Sequence, residues 1–123
     1  MDLSGRQVDI TLDQSFDLKV GDVASLKTDE TNFSFKLEAI EEDSRCPADV
    51  MCIWQGVFSA RFICSSCSEN KFYLGNNALP EHPTSIELNG FRIELLEIQP
   101  ELYVDSKLNQ NDYSLKLIVS RNE

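Results

Sequence analysis

The sequence predicts an all-β domain: a single antiparallel β-sandwich or barrel-like fold of about seven to eight short strands. Three observations predict it. Apolar residues recur at every second position through most of the chain, turn-forming residues punctuate these runs, and no window carries a helical period.

The first run places Val8, Ile10, Leu12, Phe16, Leu18 and Val20 on even positions, with Asp9, Thr11, Asp13, Ser15, Asp17 and Lys19 on odd ones. That is strand periodicity with one wet face. Gln14 interrupts the apolar row, so two strands joined by a bend or crossover near Asp13-Gln14-Ser15 are expected, followed by a turn at Gly21-Asp22. Phe33, Phe35, Leu37 and Ala39 make the next row; Phe58, Ala60, Phe62 and Cys64 make another. Lys71 to Leu74 reads as a short strand closed by Gly75-Asn76-Asn77, and Ala78 to Pro83 as a loop, because Pro80 and Pro83 have no amide to donate. Asn89-Gly90, between Ile86-Glu87-Leu88 and Phe91 to Leu95, is the strongest hairpin signal in the chain. The doublet Leu95-Leu96 breaks the alternation as a bulge would, and Pro100 ends that run. Tyr113, Leu115, Leu117 and Val119 form a closing strand.

At 123 residues, with 41% hydrophobic and 26% charged residues, the chain fits one domain over 1–123, its first six residues reading as a disordered N-terminal remnant. Twenty-one acidic residues against 11 basic ones give a net charge of −10. Such a field repels phosphate backbones and anionic lipid, which argues against nucleic acid and peripheral membrane docking as partners. No run of about 18 apolar residues is present to span a membrane.

The richest stretch is Asp43-Ser44-Arg45-Cys46-Pro47, continuing through Val50, Cys52, Trp54 and Gly56. It resembles a D-S-R-C-P-x-x-V-x-C-x-W-x-G pattern of small uncharacterised exported proteins and lipoproteins of bacteria and some archaea. In weaker form the likeness takes in the N-terminal strand pair, the Phe91 to Pro100 strand and the closing strand near Tyr113. The resemblance implies an extracytoplasmic β-domain with a Cys46–Cys52 bridge, and it carries no assigned activity. Cys64 and Cys67 lie outside the pattern.

Four cysteines allow three disulfide connectivities, of which Cys46–Cys52 with Cys64–Cys67 needs the least long-range closure. Loops this short would contribute roughly 2 kcal/mol each. Their presence in a small acidic domain favours an export segment missing from this chain over a cytosolic setting. Structural zinc on the cysteines is the rival, although the Cys46/Cys52 spacing is long for a zinc knuckle. A redox Cys64/Cys67 pair would need a cation or helix end to stabilise its thiolate, and only Lys71 is near in sequence. Trp54 is expected to pack over the first disulfide as a core plug. Arg45, set among Glu41, Glu42, Asp43 and Asp49, is expected to pair with one of them and order the loop. The carboxylates Glu38, Glu41, Glu42, Asp43 and Asp49 offer oxygen ligands for calcium, without a recognised calcium-loop spacing. His82, the single histidine, reads as an exposed loop residue with no nucleophile elbow beside it.

These readings converge on a monomeric, extracytoplasmic, non-enzymatic binding or accessory module without a cofactor, whose loops meet a protein or glycan of the cell envelope. A zinc- or calcium-binding protein is the first alternative, a thiol-redox or hydrolytic enzyme the second. Inhibition of secreted proteases is a further idea that no residue favours.

Overall fold

The computed structural model describes residues 4–28, 32–64, 67 and 70–121. Nine strands fill them: β1 (Gln7–Ile10), β2 (Phe16–Lys19), β3 (Val23–Lys27), β4 (Asn32–Asp43), β5 (Phe58–Ile63), β6 (Lys71–Gly75), β7 (Ser85–Leu88), β8 (Phe91–Gln99) and β9 (Ser114–Arg121). One 3₁₀ turn, Gln110–Asp112, precedes β9. They form a five-stranded sheet in the order β1-β3-β4-β5-β6 and a four-stranded sheet in the order β2-β9-β8-β7. The two sheets pack face to face as a sandwich.

The N-terminal alternation divides between the sheets as its broken row implies. β1 joins the first sheet and β2 the second, and the Asp13 amide donates to the Val119 carbonyl where the chain crosses (2.8 Å). β1 pairs with β3 in parallel, so the sandwich is not wholly antiparallel. β3 is the strand the sequence hid. Val23 and Ala24 are both buried, so Val-Ala-Ser-Leu-Lys shows no clean alternation. Ala24 and Leu26 belong to the central core, and a Cβ built on Gly5 would lie 3.6 Å from the outward Val23 side chain. Of the six residues read as a remnant, 1–3 lie outside the described residues, and Arg6 is bonded to the start of β3. Its carbonyl accepts the Val23 amide and its guanidinium forks onto Asp22 at 3.1 and 2.6 Å. That hydrogen-bonded cation holds the Asp22 carboxyl below the usual carboxylate range, against its burial.

Aromatic rings fill much of the space between the sheets. Phe33 of β4 stacks on Phe91 of β8 with centroids 5.2 Å apart, and Phe62 on Phe72 at 5.0 Å. Leu18, Ile93, Leu115, Leu117 and Val119 supply the facing aliphatic layer.

Two bulges in β4 shape the end of the sheet from which the Asp43 to Gly56 loop leaves. The row Phe33, Phe35, Leu37 passes inward to Ile40 and not to the expected Ala39, because the register slips between Leu37 and Ala39 and again between Ile40 and Glu42. Glu38 and Glu41 are the extra residues, and both carboxylates reach Arg61 on the neighbouring strand. The two slips cancel in phase. Asp43 therefore pairs with Phe58 on the core-facing side of the sheet.

The second sheet holds the expected hairpin and bulge. Asn89 (φ 53°) and Gly90 (φ 82°) both take positive φ, the requirement of a type I′ turn. At the doublet, Leu95 opposes Leu117 and Glu97 opposes Lys116, which leaves Leu96 extra and exposed. Leu95→Ala should therefore cost about 2–5 kcal/mol of stability and Leu96→Ala less than about 0.5 kcal/mol. Equal losses in denaturant unfolding would show that the bulge is misplaced.

Candidate functional site

Asp43 to Gly56 is the connection from β4 to β5, and its residues divide into a bonded base and a free tip. In the base, the Ser44 amide donates to the Val57 carbonyl (2.8 Å), the Val57 amide returns a bond to Ser44 Oγ (3.1 Å), and the Cys46 amide donates to the Gln55 carbonyl (2.9 Å). These bonds continue the β4–β5 ladder two rungs past the sheet. The Cys46–Cys52 disulfide closes the loop just beyond them, and the Val50 amide donates to the Pro47 carbonyl inside it (3.3 Å).

Gly56 sits at the return corner with φ +76°, and a Cβ there would lie 1.9 Å from the Ser44 carbonyl oxygen. No side chain fits that approach. Asn76, from the loop after β6, holds the same corner: its Nδ2 donates to the Gly56 carbonyl (3.0 Å) and its Oδ1 accepts the Phe58 amide (3.1 Å).

Beneath the loop lies an ion pair. Arg45 Nε and Nη2 fork onto Asp43 at 2.7 and 2.8 Å, Nη2 also donates to the Pro100 carbonyl (3.2 Å), and the guanidinium stands 5.4 Å from the Phe58 ring centre. The Tyr113 hydroxyl donates to the second Asp43 oxygen (2.7 Å). Little of either charged side chain is exposed, 15% for Arg45 and 6% for Asp43. Burial pushes the Asp43 carboxyl up, but the hydrogen bonds from Arg45 and Tyr113 and the guanidinium charge outweigh it, so the pKa lies below the usual carboxylate range. The Tyr113 phenol is pushed well above its ordinary value by burial first and the Asp43 carboxylate second.

Trp54 corrects an expectation. It is no core plug over the disulfide: the residue is 56% exposed, and Met51 and Ile53 beside it are fully exposed. The space under the loop is already filled by Arg45, by Phe58 and by the Tyr113 ring 6.1 Å from Phe58. The tip is held sideways. The Ala48 amide donates to the Leu102 carbonyl (2.6 Å), and Asp49 Oδ1 accepts the Val104 amide (3.0 Å). These bonds set the long β8–β9 connection alongside, where Tyr103 and Val104 are exposed too. Gln110 ties that connection to β4, with Oε1 accepting the Ile40 amide (2.7 Å) and Nε2 donating to the Ile40 carbonyl (3.1 Å).

The remaining candidates are placed elsewhere. Cys64 and Cys67 form the second disulfide, with Cys64 buried, and both cysteine pairs follow the local connectivity. His82 is half-buried rather than exposed. Its ring meets Tyr73 edge-on at 6.3 Å, its amide and carbonyl are bonded within the proline loop, and its Cβ lies where a side chain on Gly75 would have to go. His82 Nδ1 and Ser59 Oγ are both buried with no hydrogen-bond partner, so the two do not form a nucleophile–base pair. Of the calcium candidates, Glu38 and Glu41 are turned to Arg61, Asp43 to Arg45 and Asp49 to the Val104 amide. Among the described residues no three His, Cys, Asp or Glu stand together as a metal cluster.

No family model, curated protein or solved structure matches this chain. The two disulfides fit an oxidising compartment. No helix of the described residues is long and apolar enough to cross a membrane.

Sequence reasoning found the motif but missed Tyr113, Asn76 and Gln110, which act on it from 20 to 70 positions away. Nothing local to those residues signals the contacts.

Gly56→Ala is expected to cost more than about 2 kcal/mol in denaturant unfolding, because both the positive φ and the clash with backbone must be relieved. Gly90→Ala, at positive φ but in open space, should cost only about 1–2 kcal/mol.

The ion pair predicts how stability follows pH. A carboxyl whose folded pKa is depressed adds stability above its unfolded value of about 3.9, and that stability is lost as pH falls through the folded pKa. A phenol whose folded pKa is raised adds stability below about pH 10 that is lost as pH rises further. Tyr113→Phe removes one bond to Asp43 and the phenol itself. It should cost about 1–3 kcal/mol at neutral pH, reduce the acid loss and remove this residue's alkaline loss. Unchanged acid and alkaline limbs in thermal melts would refute the coupling.

Proposed function

We propose that this chain is a non-enzymatic, extracytoplasmic binding module that docks a protein through its stapled loop and the connection beside it. The full exposure of Met51 and Ile53 next to Trp54, on a loop closed by a disulfide and tied at its base, carries the reading. An isolated exposed apolar residue needs no explanation, but several on two adjoining loops mark an interaction site. Aromatic side chains and methionine are the residue types enriched where proteins meet. Met51, Ile53, Val50 and Val104 offer no hydrogen bonds from their side chains, which favours a protein over a glycan.

The resemblance of Asp43 to Gly56 to exported proteins and the two disulfides both support the compartment. The bonded state of all four cysteines and the unpaired Ser59 and His82 favour binding over thiol or hydrolytic chemistry.

Photo-reactive residues give the test. Placed at Ile53 on the exported protein, such a residue should yield a discrete protein adduct that disappears when Met51→Ser is added. Placed at Asp17, on the opposite sheet, it should yield none. Equal adducts from both positions, or none from Ile53, would sink the proposal.

A further inference from the structure

The two loops that carry the exposed apolar residues are predominantly acidic. Segments 42–56 and 100–113 together carry six acidic residues (Glu42, Asp43, Asp49, Glu101, Asp105 and Asp112) against two basic ones, Arg45 and Lys107. Arg45 is already committed to Asp43 beneath the loop. That leaves Lys107 to face Asp49, Glu101 and Asp105, all three of them exposed.

Two of these carboxylates bond to neutral donors. Asp49 accepts the Val104 amide and Glu101 accepts the Tyr103 hydroxyl (2.8 Å), so their charge stays available to a partner. Tyr103 registers this field. Its phenol is raised above its ordinary value by the hydrogen bond to Glu101 and then by the Glu101 charge, with Asp49 adding to it.

Resting on the docking reading above, we infer that the partner is a protein whose apolar socket is rimmed by lysine and arginine. Charge complementarity selects this occupant. An anionic lipid surface would meet both the acidic rim and a net charge of −10, and is repelled. A second copy docked on the same face would set Asp49, Glu101 and Asp105 against their own equivalents, and like charges across an interface suppress that pairing. A basic rim instead steers the approach and sets the orientation, while Met51, Ile53 and Trp54 enter the socket.

The probe is a displayed library of helical peptides with a leucine-rich face, whose flanking positions are randomised equally among Lys, Arg, Asp, Glu and Gln. Selection on the folded, disulfide-intact chain should enrich Lys and Arg at the flanks. Trp54 is the sole tryptophan, so its emission reports binding directly. The selected peptide should shift that emission to the blue. Its affinity should fall about tenfold or more between low and high salt, and by a similar factor in the isosteric double variant Asp49→Asn/Glu101→Gln. Both carboxamides can still accept the bonds from Val104 and Tyr103, so the fold is kept.

Met51→Ser/Ile53→Ser should abolish binding at any salt. Enrichment of neutral or acidic flanks, with binding still lost in Met51→Ser/Ile53→Ser, overturns the basic-rim inference and leaves the docking reading standing. A blue shift with phosphatidylglycerol vesicles, or dimers in sedimentation that Met51→Ser/Ile53→Ser disperses, overturns it in favour of a bilayer or a second copy. Failure of every probe to act through Met51 and Ile53 overturns both readings.

Discussion

Both loops of the exposed end hang on one buried contact, the fork of Arg45 onto Asp43. It joins four segments that lie far apart in the chain: the end of β4 through Asp43, the start of β5 through Phe58, the end of β8 through Pro100 and the start of β9 through Tyr113. Burying two charges is costly, and the pair offsets that cost only because its lone pairs and donors find partners. Asp43 receives Arg45 on both oxygens and Tyr113 on one, while Arg45 adds a carbonyl and an aromatic face. A core of equivalent apolar residues could match this in stability. What it would lack is direction: the fork and the phenol hold one relative placement of the two sheets at this end, and any other leaves a charge unpaired.

The strand carrying Asp43 is shaped to deliver it there. Without bulges, the inward row Phe33, Phe35 and Leu37 would run on through Ala39 and Glu41, and would turn the Glu41 carboxylate into the core. The two slips in β4 instead turn out Glu38 and Glu41 as extra residues that share Arg61, and they bring Asp43 back to the inner face opposite Phe58. Gly56 then lets the returning strand approach Ser44 more closely than any side chain would permit. The staple, the corner and the ion pair are thus three constraints on one hairpin, each acting on a different step of its path.

Much of this was legible in the sequence wherever the controlling interaction is local. Alternation marked eight of the nine strands because polar side chains recur between the apolar ones, even in β5, where Ser59 is itself buried; Asn89-Gly90 named its own turn, and the Leu95-Leu96 doublet betrayed a bulge. Short cysteine spacings pointed to the two bridges. β3 escaped because Val23, covered by the N-terminal segment, is buried on the face where alternation requires a polar residue. The β4 bulges escaped because Glu38 looks like an ordinary wet-face residue and the apolar row simply stops after Ala39; only the common partner Arg61, on another strand, explains Glu38 and Glu41 together. Trp54 was misplaced for a related reason. A tryptophan beside a disulfide suggests a plug, and the residues that already fill that space, Phe58 and Tyr113, are brought there by the fold.

The exposure of Met51, Ile53 and Trp54 is easier to understand from the rigidity beneath them. Binding orders side chains and loops, and each flexible group immobilised at an interface costs about 0.5–1.5 kcal/mol. Here, if the tip docks as proposed, that ordering is largely done in advance: the disulfide closes the tip, Ala48 and Asp49 tie it to the β8–β9 connection, and Gln110 ties that connection to Ile40. An apolar tip on a slack loop would fold back onto the protein and hide itself. On this base it cannot reach the core, whose nearest space Arg45 and Tyr113 occupy. In the docking reading, the acidic residues of both loops also set like charges against one another wherever two such tips would meet. Stapling and charge therefore act together: the first keeps the apolar tip presented, and the second restricts what can cover it.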